Sequence, residues 1–285
     1  MVTILSWNIK NKNSSLFSLA LKDIIKYQSI DIIIFQEAFG VHVNTILNAE
    51  FDEVTIVGSA GKKYVRIFIK KNHFDRFDLH TLPNNKLIFI RLKLKNGKDY
   101  FNIAGVHFYS KVANTERQQM WKSKPIIDKI VEIENVIQQF NTILVGDLNH
   151  NPYENNLCDP YLLNAKNSRE IISFLLKTPL TKVDKDFWYN PMWNFLGDHD
   201  FVTNTPKITG SYFRYTNSEQ PMWNLLDGFL VRPSVMDKIN FNQSEILTKT
   251  NSINFLKPFI VRDDESFIKD DISDHLPIKF TLNFN

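Results

Sequence analysis

This 285-residue sequence predicts an α/β fold arranged as a four-layer α/β/β/α sandwich. Three observations carry that prediction. The chain opens strand, helix, strand; strand-like apolar runs outnumber helical stretches thereafter; and a long helical stretch comes just before a buried run around Leu144. Helices at two separate places among many strands suit two packed sheets with helices outside.

Residues 2–9 read as the first strand. Ser14 or Ser15 then caps a helix whose apolar face is Phe17, Leu21, Ile24 and Ile25, at helical spacing. Residues 31–35 form a nearly all-apolar second strand, of the kind covered on both faces. Strands follow at 54–57, 64–70, 86–93 and 100–107, with Asn96-Gly97 as a hairpin turn. The stretch 114–140 is helical, striped by Ile126, Ile130, Ile133 and Ile137, with Pro125 as a kink or restart. A buried strand at 142–145 leads into Gly146-Asp147. Residues 152–209 are aromatic, asparagine-rich and irregular, with a helix at 168–176, and read as surface loops of the kind that select substrates. Further strands are expected at 210–215, 225–231, 243–247 and 276–282.

Composition bounds the setting. A chain 43% hydrophobic can bury a large core. Candidate site residues run from Asn8 to His275, so one domain over residues 1–285 is expected rather than two halves dividing the site. One cysteine, Cys158, excludes an intramolecular disulfide and a cysteine-built zinc site. MVTILSW is too short for a secretory leader, and no apolar run reaches the roughly 18 residues of a membrane span. The expectation is a cytoplasmic protein without a transmembrane segment. A net charge of +3 permits a polyanionic partner without arguing for one.

The chemistry-bearing residues sit just past apolar runs, where strands end and loops begin. They are Asn8 after Trp7, Glu37 after Gln36, His107, Asp147 and Asn149 in GDLN, Asp227, and Asp274-His275 in SDHLP. Carboxylates, amides and imidazoles of this kind hold a hard divalent cation and move protons around a phosphate ester. Each has a plainer reading: Glu37 as a solvated rim carboxylate, Asn8 and Asp147 as turn formers, His107 as a buried structural histidine. His42, His73, His80, His150 and His199 take the structural reading. His275 stands apart, because acids precede it and Asp227 offers a second partner from another strand end.

Lys62, Lys63 and Arg66, with Lys70 and Lys71, form a basic stretch that no acid interrupts between Gly58 and Phe74. It reads either as an edge strand protected by charge or as a phosphate-backbone track. Asp263, Asp264, Glu265, Asp270 and Asp271 read as a solvated acidic loop that raises cation affinity nearby. An internal echo, NPMWNFL at 190–196 and QPMWNLL at 220–226, presents Trp193 and Trp223 either as packing anchors or as rings lining a substrate cleft.

Trp7-Asn8, Gln36-Glu37, His107, Gly146-Asp147-Leu148-Asn149, Asp227 and Ser273-Asp274-His275 together resemble, in order and rough spacing, the endonuclease/exonuclease/phosphatase superfamily with its DNase I-like fold. The resemblance spans essentially the whole chain and implies metal-dependent phosphoester hydrolysis with Mg²⁺ or Mn²⁺. Carried onto this sequence, Asn8, Glu37 and Asp274 look like metal-site residues. Asp147 would activate the attacking water and Asn149 hold a phosphate oxygen. Asp227 would orient His275, and His107 resembles the second catalytic histidine. Lys10-Asn11-Lys12 and His107 depart from the exonuclease III-like branch, and Leu225-Leu226-Asp227-Gly228 and His150-Asn151 from the inositol 5-phosphatases. The segment expected to bring an acid to His107, residues 58–72, has none. The resemblance therefore implies a bacterial-type member acting as a nuclease on DNA or RNA, with Lys62, Lys63, Arg66, Trp193 and Trp223 on the substrate. The alternatives are a phosphatase or sphingomyelinase-like phosphodiesterase on a small or lipid phosphoester, and an inactive binding module.

Overall fold

Elements form where the apolar periodicity changes. The computed structural model describes residues 1–40, 42–54, 63–82, 85–178, 187–200, 203–214, 222–257 and 267–284. The chain begins β1 (Val2–Asn8), α1 (Ser15–Tyr27), β2 (Ile32–Gln36), α2 (His42–Leu47), β3 (Phe51–Val54), β4 (Val65–Lys70), β5 (Phe74–Thr81), β6 (Leu87–Leu94) and β7 (Tyr100–His107). It continues with α3 (Glu116–Ile137), β8 (Thr142–Asp147), α4 (Asn155–Cys158), β9 (Ala165–Lys166), α5 (Arg169–Lys177) and β10 (Trp188–Tyr189). The remaining strands are β11 (His199–Asp200), β12 (Thr205–Pro206), β13 (Tyr212–Phe213), β14 (Trp223–Asn224), β15 (Asp227–Val231), β16 (Ile239–Ile246) and β17 (Ile278–Leu282).

Caps set the helix starts. Ser14 accepts from Phe17 N–H at the head of α1. Thr115 and Gln118 form a reciprocal capping box on α3, and Ser168 caps α5. Helix α3 runs through Pro125 rather than restarting there, and its inward stripe is Ile126, Ile127, Ile130 and Ile133. Helix α2 and strand β5 were not expected. The short α2 carries little periodic signal, and β5, with Asp75, Arg76, Phe77 and Asp78 exposed, is an edge strand whose charges hide the alternation. Part of the strand expected at 54–57 lies outside the described residues, as do Lys62, Asp263, Asp264 and Glu265.

The strands make two mixed sheets, ordered β16-β17-β1-β2-β4-β3 and β5-β6-β7-β8-β15-β10-β9. Strands β1 and β2 lie against β8, and β4 against β7, so the sheets face one another. Period-two alternation then divides each strand. Phe101 and Ile103 of β7, Ile143 and Val145 of β8, and Phe229 and Val231 of β15 enter the core shared with the first sheet. Ala104, Leu144 and Leu230 enter a second core covered by the isoleucines of α3. On the first sheet Trp7 points outward to Phe17 of α1, their rings 5.2 Å apart. Phe229 and Phe280 stack across the interior at 3.9 Å between centroids. The expected α/β/β/α sandwich is the arrangement found.

Two further features shape the packing of the second sheet. A Cβ on Gly105 would come within 3.3 Å of Ile67, Val65 and Ile34, so a glycine lets the sheets approach where β7 faces β4 and β2. Behind the second sheet, Arg232 and Glu134 form a fully buried pair at 2.6 Å, completed by Thr142 donating to Glu134 and by the Trp188 ring under the guanidinium. The apolar pattern contained no sign of that pair.

Candidate active site

Registry aligns the candidate residues. His107 of β7 pairs with Asp147 of β8, and Asp147 with Asp227 of β15, so these three side chains stand in one row at one rim of the second sheet. They continue the inward phase of the apolar residues before them on β7 and β8 and after them on β15. Asn8 of β1 pairs with Gln36 of β2 at the facing rim, and Glu37 follows with φ 51°. Such a conformation is rare outside glycine and asparagine, and it turns the Glu37 carboxylate into the cleft. Gly146 makes the approach to Asp147 possible: at φ 149° any Cβ would lie 2.0 Å from Val106 O.

Asn8 bridges the two sheets. Its amide nitrogen donates to Asp147 Oδ2 at 2.9 Å and Glu37 Oε1 at 3.3 Å, while its oxygen accepts from Lys10 N–H. Ser273 donates to Asn8 O at 2.6 Å and accepts from His275 N–H, tying the last loop to the first strand. Asn149 N–H donates to Asp147 Oδ1, and the Asn149 side chain donates to Phe108 O at 3.2 Å. The GDLN segment is thus both a turn and part of the cleft, with one amide N–H of Asn149 beyond the Phe108 contact.

The second arm is a relay. His275 Nδ1 lies 2.7 Å from Asp227 Oδ2, Ser211 Oγ donates to the same oxygen at 2.6 Å, and the Asp227 N–H donates back to Ser211. Tyr212 flanks the imidazole at 4.8 Å between centroids. Burial opposes a charge on His275, yet the Asp227 carboxylate and its hydrogen bond overcome this and raise the imidazole to about 10. Burial, with Asp227 beside it, raises Asp147 to about 7. Two neighbouring groups are thereby driven toward a protonated cation and a carboxylate poised near neutrality.

His107 differs. Its Nε2 is 3.7 Å from Glu37 and 3.6 Å from Asp147, and its Nδ1 is buried without a hydrogen-bond partner among the described residues. Burial, reinforced by the charges of Lys86 and His275, holds it well below the usual imidazole range, so the ring is neutral. Lys86 lies between the rings of Tyr64 and Tyr109, at 4.5 and 4.6 Å, and donates to His107 O at 3.2 Å. Burial lowers it to about 8 against the pull of Asp147 and Glu37.

Asp147, Asp227 and His275 present ligand atoms within 4.8 Å of one another, a grouping consistent with a divalent cation when the imidazole gives up its proton. The donor set fits one: Glu37 is one-third exposed at the mouth, and Asp227 Oδ1 and Asp274 Oδ1 are buried without a hydrogen-bond partner among the described residues. Asp274 Oδ2 pairs with Lys10 at 2.6 Å.

Among the described residues of the basic stretch, Lys63, Arg66 and Lys70 lie against acids rather than forming an open track. Arg66 is 3% exposed and donates to Glu53 through Nε and Nη2, both at 2.9 Å, and to Gly40 O. Lys63 pairs with the same Glu53 at 3.1 Å, and Lys70 lies 3.8 Å from Asp31. The stretch contains no acid, but hairpin pairing lays β3 beside β4 and brings Glu53 across. Trp223 packs against Phe213 and Phe267, and Trp193 lies half-buried beside Tyr153. The two echoes take different forms, a 3-10 turn over Pro191–Phe195 and the β14 strand at Trp223–Asn224. His150 accepts the structural reading, its Nδ1 lying 2.6 Å from Leu148 O. Sequence reasoning missed Ser211, Tyr64, Tyr109, Lys86 and Tyr212. Of these only Lys86 had a signal, a cation opening the apolar run of β6.

The sequence profile described as "Endonuclease/Exonuclease/phosphatase family" matches residues 5–275. The chain belongs to that family. No curated protein matches it at the sequence level. Among solved structures, a Bacteroides thetaiotaomicron protein of the family is similar with TM-score 0.62 at 17% identity, covering 100% of this chain and 98% of that one. A mannosyl-6-phosphatase from the same organism has TM-score 0.62 at 16% identity, covering 100% of both chains. Truncated Caenorhabditis elegans TDP2 has TM-score 0.59 at 18% identity, covering 100% of this chain and 97% of that one. These likenesses establish the fold. Family membership and the buried acid–imidazole group make the protein a metal-dependent phosphoester hydrolase. Among the described residues no helix is long and apolar enough to cross a membrane.

Proposed function

We propose that this family member is a phosphodiesterase that hydrolyses nucleic acid by direct in-line attack of water, with Mg²⁺ or Mn²⁺ as its cation. The observation that carries the reading is the pairing of a carboxylate near neutrality, Asp147, with a protonated imidazole, His275, on facing sides of one cleft. Asp147 takes a proton from water as its oxygen attacks phosphorus opposite the leaving oxygen. His275, held by Asp227 and Ser211, sets a positive charge and an N–H against the departing oxygen, which takes a proton as the P–O bond breaks. The remaining amide N–H of Asn149 and neutral His107 donate to phosphoryl oxygens. A cation held by Glu37, with Asn8 and Asp274 alongside, would supply Lewis-acid charge neutralisation. Tyr64 beside His107 and Tyr212 beside His275 give aromatic walls on which a base or sugar packs.

A second reading is hydrolysis of a small phosphoester. It gains from the pairing of Lys63 and Arg66 with Glu53 and from the similarity to a mannosyl-6-phosphatase. The discriminating experiment incubates the protein, beside Asp147→Ala and His275→Ala variants, with supercoiled plasmid, single-stranded DNA and RNA in Mg²⁺, Mn²⁺ or EDTA. Metal-dependent cutting lost in both variants supports the nuclease. No cutting, with phosphate released from small phosphomonoesters, overturns it in favour of the second reading.

A further inference from the structure

We infer that Tyr153 and Trp193 form a stacking subsite for a base of a nucleic-acid strand, one strand beyond Asp227 along the rim that carries the site. The inference rests on the nuclease reading and deepens it, because it says where the nucleotide next to the scissile phosphate is held. Along the rim of the second sheet the row runs from His107 of β7 through Asp147 of β8 to Asp227 of β15. The next strand is β10, which pairs antiparallel with β15 through Tyr189 and Val231. From Tyr189 the chain runs beside β15 toward the rim. A Cβ on Gly228 would lie 2.8 Å from Met192 Cγ, so Met192 is level with Gly228, and Trp193 comes next, at the level of Asp227. With neighbouring strands roughly 4.8 Å apart, that position is about 10 Å from Asp147 along the row.

Tyr153 arrives from β8. It follows Asn149-His150-Asn151-Pro152, the segment that leaves the rim with Asn149. Asn151 holds this segment on the β15 side, accepting from Leu225 N–H at 2.8 Å and donating to Asn224 Oδ1 at 3.0 Å and Glu154 Oε1 at 2.9 Å. Asn190, just before the 3-10 turn that carries Trp193, donates to Pro152 O at 3.4 Å. The two rings therefore meet, 6.5 Å between centroids and inclined at 64°. Core packing does not require this corner, since Tyr153 is 47% exposed and Trp193 half-buried. Trp223, its counterpart in the sequence echo, packs instead against Phe213 and Phe267. Two inclined rings let a planar base lie on one face and meet the edge of the other, a contact that tolerates any base. Lys207 donates to Asn194 O at 2.7 Å and so brings positive charge beside Trp193, where the strand's next phosphate would pass. Affinity for a strand then comes from ring faces rather than from Lys63 and Arg66, which pair with Glu53.

The test is binding of a labelled single-stranded oligothymidylate in EDTA, followed by fluorescence anisotropy, to the wild type and to Tyr153→Ala, Tyr153→Phe and Trp193→Ala variants. A strand of the same length with abasic residues is the comparison. Loss of one stacked ring should weaken oligothymidylate binding by about tenfold in each alanine variant, with affinity kept in Tyr153→Phe. The abasic strand should bind equally weakly to all four proteins. Trp193→Leu carries the comparison if Trp193→Ala does not fold. Unchanged oligothymidylate affinity in the folded alanine variants overturns the inference, as does an equal loss on the abasic strand or a wild type that binds no oligothymidylate. Plasmid cutting in Mg²⁺ is measured separately. A wild type that binds through its rings and cuts nothing would sink the nuclease reading and leave the subsite standing, whereas cutting with unchanged affinity in the variants would sink the subsite alone.

Discussion

Replacing Asp227 by Asn removes one charge from the buried row while leaving an oxygen to which the His275 ring still donates. In the wild type the Asp227 carboxylate lies 2.7 Å from Nδ1 and carries the imidazole to about 10 although burial works against it. Measured from the ordinary value of about 6.5, at about 1.4 kcal/mol per pH unit, the couple is worth on the order of 5 kcal/mol to the folded protein. The sign follows from a raised pKa: that stability is complete below about pH 6.5 and is lost as pH rises toward 10. Asp147, raised to about 7, has the same sign, since the folded state holds its proton more tightly and loses stability as pH rises from about 4 to 7. In Asp227→Asn burial is opposed only by the more distant Asp147 and Asp274, so His275 falls back toward its ordinary value and loses most of its charge above pH 7. Denaturant unfolding in EDTA should show wild-type stability declining between pH 7 and 10 with a slope approaching about 1.4 kcal/mol per unit, and little decline in the variant. The His275 Cε1 proton should titrate only above pH 9 in the wild type. Turnover should fall on the order of 10²–10⁴-fold through loss of the protonated imidazole. Parallel stability slopes for the two proteins, or a wild-type His275 that titrates near pH 6.5, would refute the reasoning.

Glu134→Gln leaves the Arg232 guanidinium buried without its carboxylate and should cost about 3–5 kcal/mol, read as a lower denaturation midpoint with catalysis intact in the folded fraction. Arg66→Ala should destabilise the protein while leaving polyanion affinity and its salt slope unchanged, because Arg66 is spent on Glu53 and Gly40; a flattened salt slope would return it to the substrate surface. Gly146→Ala places a methyl 2.0 Å from Val106 O, and should unfold the protein or separate β7 from β8, seen as lost near-ultraviolet dichroism. Saturating Mg²⁺ at about 100 times its dissociation constant should add about 2.7 kcal/mol to stability, and Glu37→Gln should abolish most of that gain.

Much of the site was legible because strand phase is a local property. Asn8 follows Val2, Ile4 and Ser6 at period two, Asp147 follows Ile143 and Val145, and His107 follows Phe101 and Ile103. A side chain that continues a buried row past its last apolar residue must emerge at the rim, facing the interior. The isoleucine stripe of α3 and the serine and threonine caps are equally local. By itself, then, the sequence determined which strands end in candidate residues and that helices lie outside two packed sheets. Tertiary structure decided what those residues meet. Strand registry placed Asp227 beside Asp147, an isolated bridge brought Tyr212 to His275, and β3 crossing to β4 gave Arg66 its acid. Lys86 acquired its two tyrosines, and Arg232 its glutamate, from segments far away along the chain. Charge and hydrogen-bond partnership act over a few ångströms of space rather than over a spacing of residues. A sequence therefore states that a lysine is basic, and only the fold states which groups that charge meets.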